Sequence, residues 1–545
     1  MGGRPLHSGA SNPNEIPMKR LRVTILDLVT KGPTKRTYSR VMNANLASIM
    51  PQVVGVWAEE LGHDVRFVCY TGLEDLESQL LDETDVLFIA AFTRSALTAY
   101  AISALYRNRG VVTVLGGPHA RSYPRDAARY FDYVLGFTDK DLVDRVLRER
   151  SAGLELGMQL SAETQPTYLP GVKERWKFIE PTIAKAPALK LVPMIGSMGC
   201  PYTCKFCIDS VVDYQPLGFD QIAEDLRFLV DTMGHATVAW HDPNFGVRFN
   251  DYMTAIENAV PPGRIRHAAE SSLALLSEPN LQRMQRNGFI GILPGLESWY
   301  EFGNKSKAKA VTGLERVEQV SEHVNTILRY IPFVQTNFVL GLDCDEGPEP
   351  FELTKRFVDL TPGAYPAYSL FTCYGQAAPM NLDLQREGRV LPFPFQFLDS
   401  IRAMNVIPAN YGWLEFYELT IDLIRHTYTG PRVWRRLRAN HGFTTKALNA
   451  VRALSSSRIK YQLKVAELIR TDATMQRFFA GESRELPEFY RSQVKEALGS
   501  LWELLPEGSL DHDENEYLTS YTAASEEAGA AALIEANEAV TVTVG

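Results

Sequence analysis

Residues 191–210 read LVPMIGSMGCPYTCKFCIDS, a short apolar run followed by three of the chain's six cysteines. The run has the look of a buried strand, so Cys200, Cys204 and Cys207 stand on the loop directly behind it, at C-x3-C-x2-C spacing. Thiolates are soft ligands that suit iron–sulfur clusters and zinc. Three of them make an incomplete set for either. A [4Fe–4S] cluster held by three cysteines leaves one iron without a protein ligand, and that position takes a substrate or cofactor as the open site of a catalytic zinc does. Zinc in a structural knuckle would need a fourth ligand, and no His or Cys lies close by in sequence.

Strand–helix alternation continues on both sides of this loop. Downstream, the amphipathic FDQIAEDLRFLVDTM (219–233) is followed by the apolar runs ATVAW (236–240), RIRHAAE (264–270), FIGILPG (289–295), FVQTNFVLG (333–341) and PAYSLFTC (366–373). About six βα units fit between 189 and 395, short of a complete eight-unit barrel. Upstream, LRVTILDL (21–28), DVRFVCY (64–70), DVLFIAA (85–91), VVTVLGG (111–117) and DYVLG (132–136) alternate with helical patterns such as PQVVGVWAEELGH (51–63). That order predicts a doubly wound, Rossmann-like parallel sheet. The expected organisation is a flexible tail over 1–18, the first α/β domain over 19–150, a proline-containing linker over 151–188, a partial (β/α)6 barrel over 189–395, a mostly helical region over 396–505 and an acidic, disordered tail over 506–545.

Composition is that of an ordinary globular protein, 45% hydrophobic and 22% charged. No apolar run reaches the length of a membrane span, and MGGRPLHSGASNPNEIPMKRLR has no apolar core of the kind a signal peptide needs. Six cysteines in 545 residues, half of them clustered, favour a reducing cytoplasmic compartment and a metal role over a disulfide framework. The net charge of -9 arises wholly from residues 506–545, which hold nine acids and no Lys or Arg.

C-x3-C-x2-C with Phe206 before the last cysteine, behind the first strand of a partial barrel, resembles the radical S-adenosylmethionine (SAM) enzymes. The resemblance implies that Cys200, Cys204 and Cys207 hold a [4Fe–4S] cluster whose open iron chelates the amino and carboxylate groups of SAM. An electron, from a reductant such as flavodoxin or ferredoxin, then splits SAM to a 5'-deoxyadenosyl radical that abstracts a substrate hydrogen. Further matches stand at successive strand ends: Asp242 in HDPNFG, Glu270 and Ser272, then Gly295, Glu297 and Ser298 in PGLES, and Asn337 and Gly341 in NFVLGLD. With Phe206 beside SAM, these are the cofactor-binding set the resemblance implies. The glycines allow close backbone approach, while polar residues at strand ends also serve as ordinary turns.

A doubly wound domain ahead of such a barrel resembles the cobalamin-binding subclass of these enzymes. Ser95 and Leu97 in SAL, and Gly116 and Gly117 in GGPHA, match its second and third motifs. Its first motif, D-x-H-x-x-G, is not found behind the first strand, where the chain reads LDLVTKGPTKRTYS. The expected cobalamin therefore has no histidine on its lower face, or the domain has lost the cofactor. His63 is expected to be structural and His119 a loop residue. Lys31, Lys35, Arg36 and Arg40 sit on a segment that either covers the corrin or is a solvated loop.

Residues 421–470 carry eleven Lys or Arg and two acids, Asp422 and Glu467. This stretch either holds an anionic substrate, lies against anionic lipid, or is a solvated face paired with acids elsewhere. Nucleic acid is not an expected partner, because aromatics are sparse along it. Aromatics in LPFPFQFLDS and PANYGWLEFYE either line an apolar substrate cavity or pack a core. The implied activity is methylation of an unactivated carbon in a small-molecule, lipid or natural-product substrate. The alternative is carbon–carbon bond formation, cyclisation or rearrangement by the same radical.

Overall fold

A computed structural model describes residues 20–30, 32, 47–80, 83–149, 156–186, 189–300, 312–453 and 457–513. The tail over 1–18, the four cations Lys31, Lys35, Arg36 and Arg40, and the acidic stretch from 514 onward lie outside the described residues.

Two parallel six-stranded sheets organise the chain. The first is built from β1 (Arg22–Leu28), β2 (Asp64–Tyr70), β3 (Val86–Ala91), β4 (Val112–Gly116), β5 (Tyr133–Leu135) and β6 (Met158–Leu160), in the order β2-β1-β3-β4-β5-β6. The apolar runs of its central strands follow from burial on both faces. Val23 and Ile25 of β1, Val86 and Phe88 of β3 and Val112 and Val114 of β4 pack into one cluster with Val53 and Trp57 of the helix Ile49–Glu60. The residues between them (Leu26, Leu28, Leu87, Ile89, Leu115) point the other way, into a core that runs without a break into the second sheet. Strand order reverses between β1 and β3, which places the ligand crevice at the carboxyl ends of those strands.

The linker reading of 151–188 needs revision. Met158–Leu160 is the sixth strand of the first sheet, paired with β5, and Val172–Ala184 is a helix packed between the two sheets' outer helices. Buried Arg175 on that helix donates to Gln52 of the first domain (2.8 Å). The strand is short, at the sheet edge and only half-buried, so its sequence carries no apolar run.

The second sheet contains β7 (Val192–Met194), β10 (Ala236–Trp240), β11 (Ile265–Ser271), β12 (Phe289–Glu297), β13 (Phe333–Leu340) and β14 (Tyr365–Leu370), ordered β14-β13-β12-β11-β10-β7. Between β7 and β10, β8 (Ser197–Met198) and β9 (Gln215–Pro216) form a small antiparallel pair. Helices cover the outside: Phe338 meets Phe357 of the helix Glu349–Leu360 at 5.5 Å between ring centroids. The alternate residues of β13 and β14, among them Gln335, Asn337, Ala367 and Ser369, are half-exposed and line the inner face. This is an open partial barrel with a usable interior.

The region behind β14 is helical, from Trp413–Thr427 to Glu488–Leu498. Phe393, Phe395 and Phe397 are fully buried. Phe393 packs edge-on against Phe478, Phe479 and Tyr490, Phe397 edge-on against Tyr490, and Phe395 against Tyr100 and Tyr123 of the first domain. Of the two readings of these aromatics, core packing is the one realised. Residues 506–513 return to the first domain. His512 is buried, stacks on Phe395 at 4.3 Å and meets Tyr123 edge-on, while Arg129 donates to the Asp511 carbonyl. The first residues of the acidic stretch are therefore part of the folded body. No helix among the described residues is long and apolar enough to cross a membrane.

Candidate cofactor site

The cysteine loop leaves the barrel at the carboxyl end of β7 and returns through β9, so the β8–β9 pair pinches its base. Gly199 opens it at φ +66°, where a Cβ would stand 2.2 Å from the Asp213 carbonyl oxygen, so only glycine fits. Inside the loop, the Cys200 amide donates to Val212 O (3.3 Å), Cys207 N–H to Cys204 O (2.9 Å), and Ser210 Oγ to Cys207 O (2.7 Å). Cys200 and Cys204 are buried and Cys207 is half-buried, with Phe206 packed at the edge of the core. Among the described residues no three His, Cys, Asp or Glu side chains converge on a single-ion site. A mononuclear zinc draws its ligands to one point, whereas a cluster takes one thiolate per iron and leaves the thiolates apart. The donor set, three thiolates on one short loop, fits the cluster.

Asp242, at the end of β10, lies beneath this loop. It accepts from the Gly196 amide (3.1 Å), Ser197 Oγ (2.8 Å) and the Tyr252 hydroxyl. Burial pushes its carboxyl up against the pull of those donors. Its oxygens are thus occupied in fixing the entry to the cysteine loop, and the cofactor-ligand expectation becomes a positioning role. Tyr252 and Asn244 complete this support and were not legible in sequence. Asn244 Oδ1 accepts from the Ser272 amide (2.8 Å), holding the ends of β10 and β11 together.

The remaining strand-end residues divide into exposed and packed groups. Glu270 is exposed at the end of β11, and its backbone oxygen accepts from Phe245 N–H. Glu297 is one of two non-glycine residues with positive φ among the described residues (+59°), at a break in the β12–β13 register. A left-handed conformation costs an L-residue about 1–2 kcal/mol, and such strain clusters at functional sites. A Cβ on Gly295 would fall 2.2 Å from Glu297 Oε1, so the glycine is needed to let this carboxylate fold back over the strand. Asn337 accepts from Gln335 Nε2 (2.9 Å) on the inner face. Gly341, at φ +89°, abuts Met404 and Phe416 and serves packing against the helical region.

Ser298 is buried and donates to Asp345 (2.7 Å), whose carboxyl is pushed up to about 6 by burial. In the unfolded chain this group ionises near 3.9. Between the two values the folded state binds the extra proton, so this contribution to stability is present below about 4 and is lost as pH rises through 6. Asp345→Asn is expected to gain relative to the wild type as pH rises from 4 to 7, by at most about 3 kcal/mol, measured by urea unfolding across that range.

In the first domain, Ser95 ends a turn behind β3 and is fully buried, and its Oγ has no partner among the described residues. An orphaned buried hydroxyl at the carboxyl end of a strand suits a bound ligand. Leu97 is buried in the following helix. A Cβ at Gly116 would meet only open space, whereas at Gly117 (φ +89°) it would press on the Ala91 backbone at 3.1 Å. A cavity of about 380 Å³ lies between the carboxyl ends of β4–β6 and the cysteine loop, lined by Arg121, Gly136, Phe137, Ser161, Val211 and Gln376. Arg121 spans it, donating to Ile208 O one residue past Cys207 (3.3 Å). His63 accepts from the Leu21 amide, as expected of a structural residue. His119 is not in a loop. It is buried in the helix Pro118–Ser122, 2.7 Å from the Tyr100 hydroxyl, and burial pushes it down to about 3.

One signal behind β1 was missed. Asp27, Val29 and Gly32 keep the aspartate and glycine of the D-x-H-x-x-G interval and place valine at the histidine position. Asp27 is buried at the end of the central strand and accepts from the Ser48 amide (2.6 Å), fixing the start of the helix Ile49–Glu60. A search for the whole motif passes over it because the histidine is gone.

The part of the basic stretch that runs to Arg452 packs away from the mouth. Arg436 donates to Ala364 O and Asn440 to Gly363 O, just ahead of β14. Arg452 donates to Gln335 and lies over the rings of Phe333 and Tyr365, the first residues of β13 and β14. These are the amino-terminal ends of the barrel strands, opposite the cysteine loop. Arg432 pairs with Asp359 and Arg470 with Glu418, so acids outside the tail answer part of the charge.

No family model matches the chain. It is 22% identical over 360 residues to the bacteriochlorophyllide d C-12(1)-methyltransferase of Chlorobaculum tepidum, covering 65% of this chain and 76% of that one. Among solved structures, it superposes on the radical SAM methyltransferase TsrM of Kitasatospora setae, with cobalamin and a [4Fe–4S] cluster bound, at a TM-score of 0.53 and 11% identity, over 88% of this chain and all of that one. The cobalamin-dependent SAM radical enzyme OxsB, with aqua-cobalamin bound, superposes at 0.51 and 12% identity, over 92% and 84%. This chain has the fold of the cobalamin-dependent radical SAM enzymes.

Proposed function

We propose that this protein is a cobalamin-dependent radical SAM methyltransferase acting on an unactivated carbon of a small-molecule or lipid substrate. The observation that carries the reading is the placement of Cys200, Cys204 and Cys207. They sit on a clamped loop at the first barrel strand's carboxyl end, and Val211, just past that loop's last cysteine, lines a cavity shared with residues at the carboxyl ends of β4–β6 of the first sheet. When bound, the cluster, SAM and cobalamin supply the radical and the methyl group. The protein's own part is positional. Asp242 and Tyr252 hold the loop, Glu270, Glu297 and Asn337 present polar groups at the mouth for SAM, and the orphaned Ser95 hydroxyl and open Gly116 face the corrin side. A flavodoxin- or ferredoxin-type reductant and a reducing cytoplasm suit such chemistry.

The test is anaerobic reconstitution with iron, sulfide and cobalamin, followed by assay with reductant. Expected are 5'-deoxyadenosine and a product heavier by one methylene unit. A product that is isomeric or has lost hydrogens would replace methyl transfer with the alternative radical outcome. Absence of 5'-deoxyadenosine would remove the assignment altogether.

Val29 gives an independent check on the corrinoid. Val29→His restores the D-x-H-x-x-G pattern, and bound cob(II)alamin is expected to gain nitrogen hyperfine splitting in its electron paramagnetic resonance spectrum. An unchanged spectrum would mean that Val29 does not face the lower side of the corrin.

A further inference from the structure

The helix Gly430–Ala439 presents Pro431, Trp434, Arg435, Arg438 and Ala439 to solvent, at the i, i+3, i+4, i+7, i+8 spacing of one helical face. Its partner face is committed, with Arg436 buried and Arg432 held by Asp359. Immediately beyond, His441, Gly442, Phe443 and Thr444 are exposed, followed by Lys446. Phe443 is 87% exposed and Trp434 57%, the two largest exposures among large apolar side chains after Tyr168 is set aside. Isolated apolar residues on a surface are normal. Two large aromatics, one on a surface helix and one opening the next helix (Phe443–Ala453), set among cations, are a different arrangement. No Asp or Glu occurs between Asp422 and Glu467, and the carboxylate of Asp359, which this helix meets, is already paired with Arg432 and His426 and takes Arg435 only at its backbone oxygen.

We propose that this face docks on an anionic lipid bilayer. Trp suits the headgroup level, Phe443 suits the acyl boundary, and Arg435, Arg438 and Lys446 match the negative surface potential. An acidic electron-transfer partner is a poor fit, because the face sits at the amino-terminal ends of the barrel strands and the cysteine loop at the other. Nucleic acid is a poor fit too, because the cations lie on a convex helix with one stacking ring and form no groove. Docked in this way, the chain turns its barrel mouth and the first domain's crevice toward water.

The experiment is co-sedimentation of the full chain with vesicles of phosphatidylcholine alone or with about a third phosphatidylserine. Binding to the anionic vesicles only, weakening as salt is raised, is expected. Trp434→Ala combined with Phe443→Ala should lower partitioning by tenfold or more, given what burying such side chains is worth. Arg435→Ala and Arg438→Ala should cost about fivefold each. Because these side chains are exposed, the thermal midpoint and bound iron should match the wild type. Binding that is absent, indifferent to lipid charge, or unchanged in both sets of variants overturns the proposal. Retention of RNA or an acidic protein on this face without vesicle binding does the same.

Discussion

Cys204→Ala should reduce bound iron and sulfide to background after reconstitution and abolish SAM cleavage, while leaving the chain folded. Cys204 is 2% exposed in a loop fixed by backbone bonds and by the β8–β9 pair. Removing one sulfur there costs about 1 kcal/mol as an ordinary core truncation, which shifts a thermal midpoint by only about a degree in a body of this size. The loss of cleavage is expected to be total, since a cluster deprived of one of three protein ligands is not held. Combining Cys204→Ala with Cys200→Ala should make nothing worse, because residues that act as a unit are not additive. SAM cleavage that survives in Cys204→Ala would remove the cysteine loop from the chemistry.

The second large effect lies at the junction between the sheets. Gly375, behind β14, has φ +54°, and a Cβ there would stand 2.1 Å from the Ser122 carbonyl oxygen and 2.9 Å from the Tyr123 ring. Next to it, Gln376 donates its amide to Ser122 O (3.0 Å) and its side chain to Arg121 O (3.2 Å). Gly375→Ala must leave the left-handed region or push the first domain away. Left-handed strain of about 1–2 kcal/mol adds to overpacking of about 1–3 kcal/mol. The variant is expected to keep its iron, since the cysteine loop is anchored within the barrel, but to lose corrinoid retention and methylated product. Wild-type corrinoid retention with an unshifted thermal midpoint would show that the junction tolerates the extra carbon and has no part in holding the cofactor.

Much of this architecture was legible because parallel strands buried on both faces leave continuous apolar runs. β1, β2, β3 and β10 fall within a residue of the runs that announced them. The cysteines were legible because their spacing is a covalent fact that needs no tertiary knowledge. What escaped the sequence was long-range or incomplete. β6 is an edge strand whose three residues alternate in exposure. Asp242 looked like a ligand because nothing local reveals that Gly196, Ser197 and Tyr252 converge on it. Gly341 looked like a ligand approach and is a close contact with Met404 and Phe416 from the helical region. The basic stretch gave its charge but not its address, because only the fold sets Arg436 and Arg452 at the far end of the barrel.

The return of residues 506–513 to the first domain bears on how the chain is made. Tyr100 and Tyr123 belong to a domain whose strands are finished at Leu160, yet their surroundings include Phe395 and His512. From residue 160 to residue 512 is 352 residues of further synthesis, or roughly 20–70 s at ribosomal rates. During that interval the nascent first domain shows water an aromatic face that Phe395 and then His512 will cover. Its closure is a late event in biogenesis, and a chain released before residue 512 leaves that face bare to chaperones, to proteases and to other copies of itself.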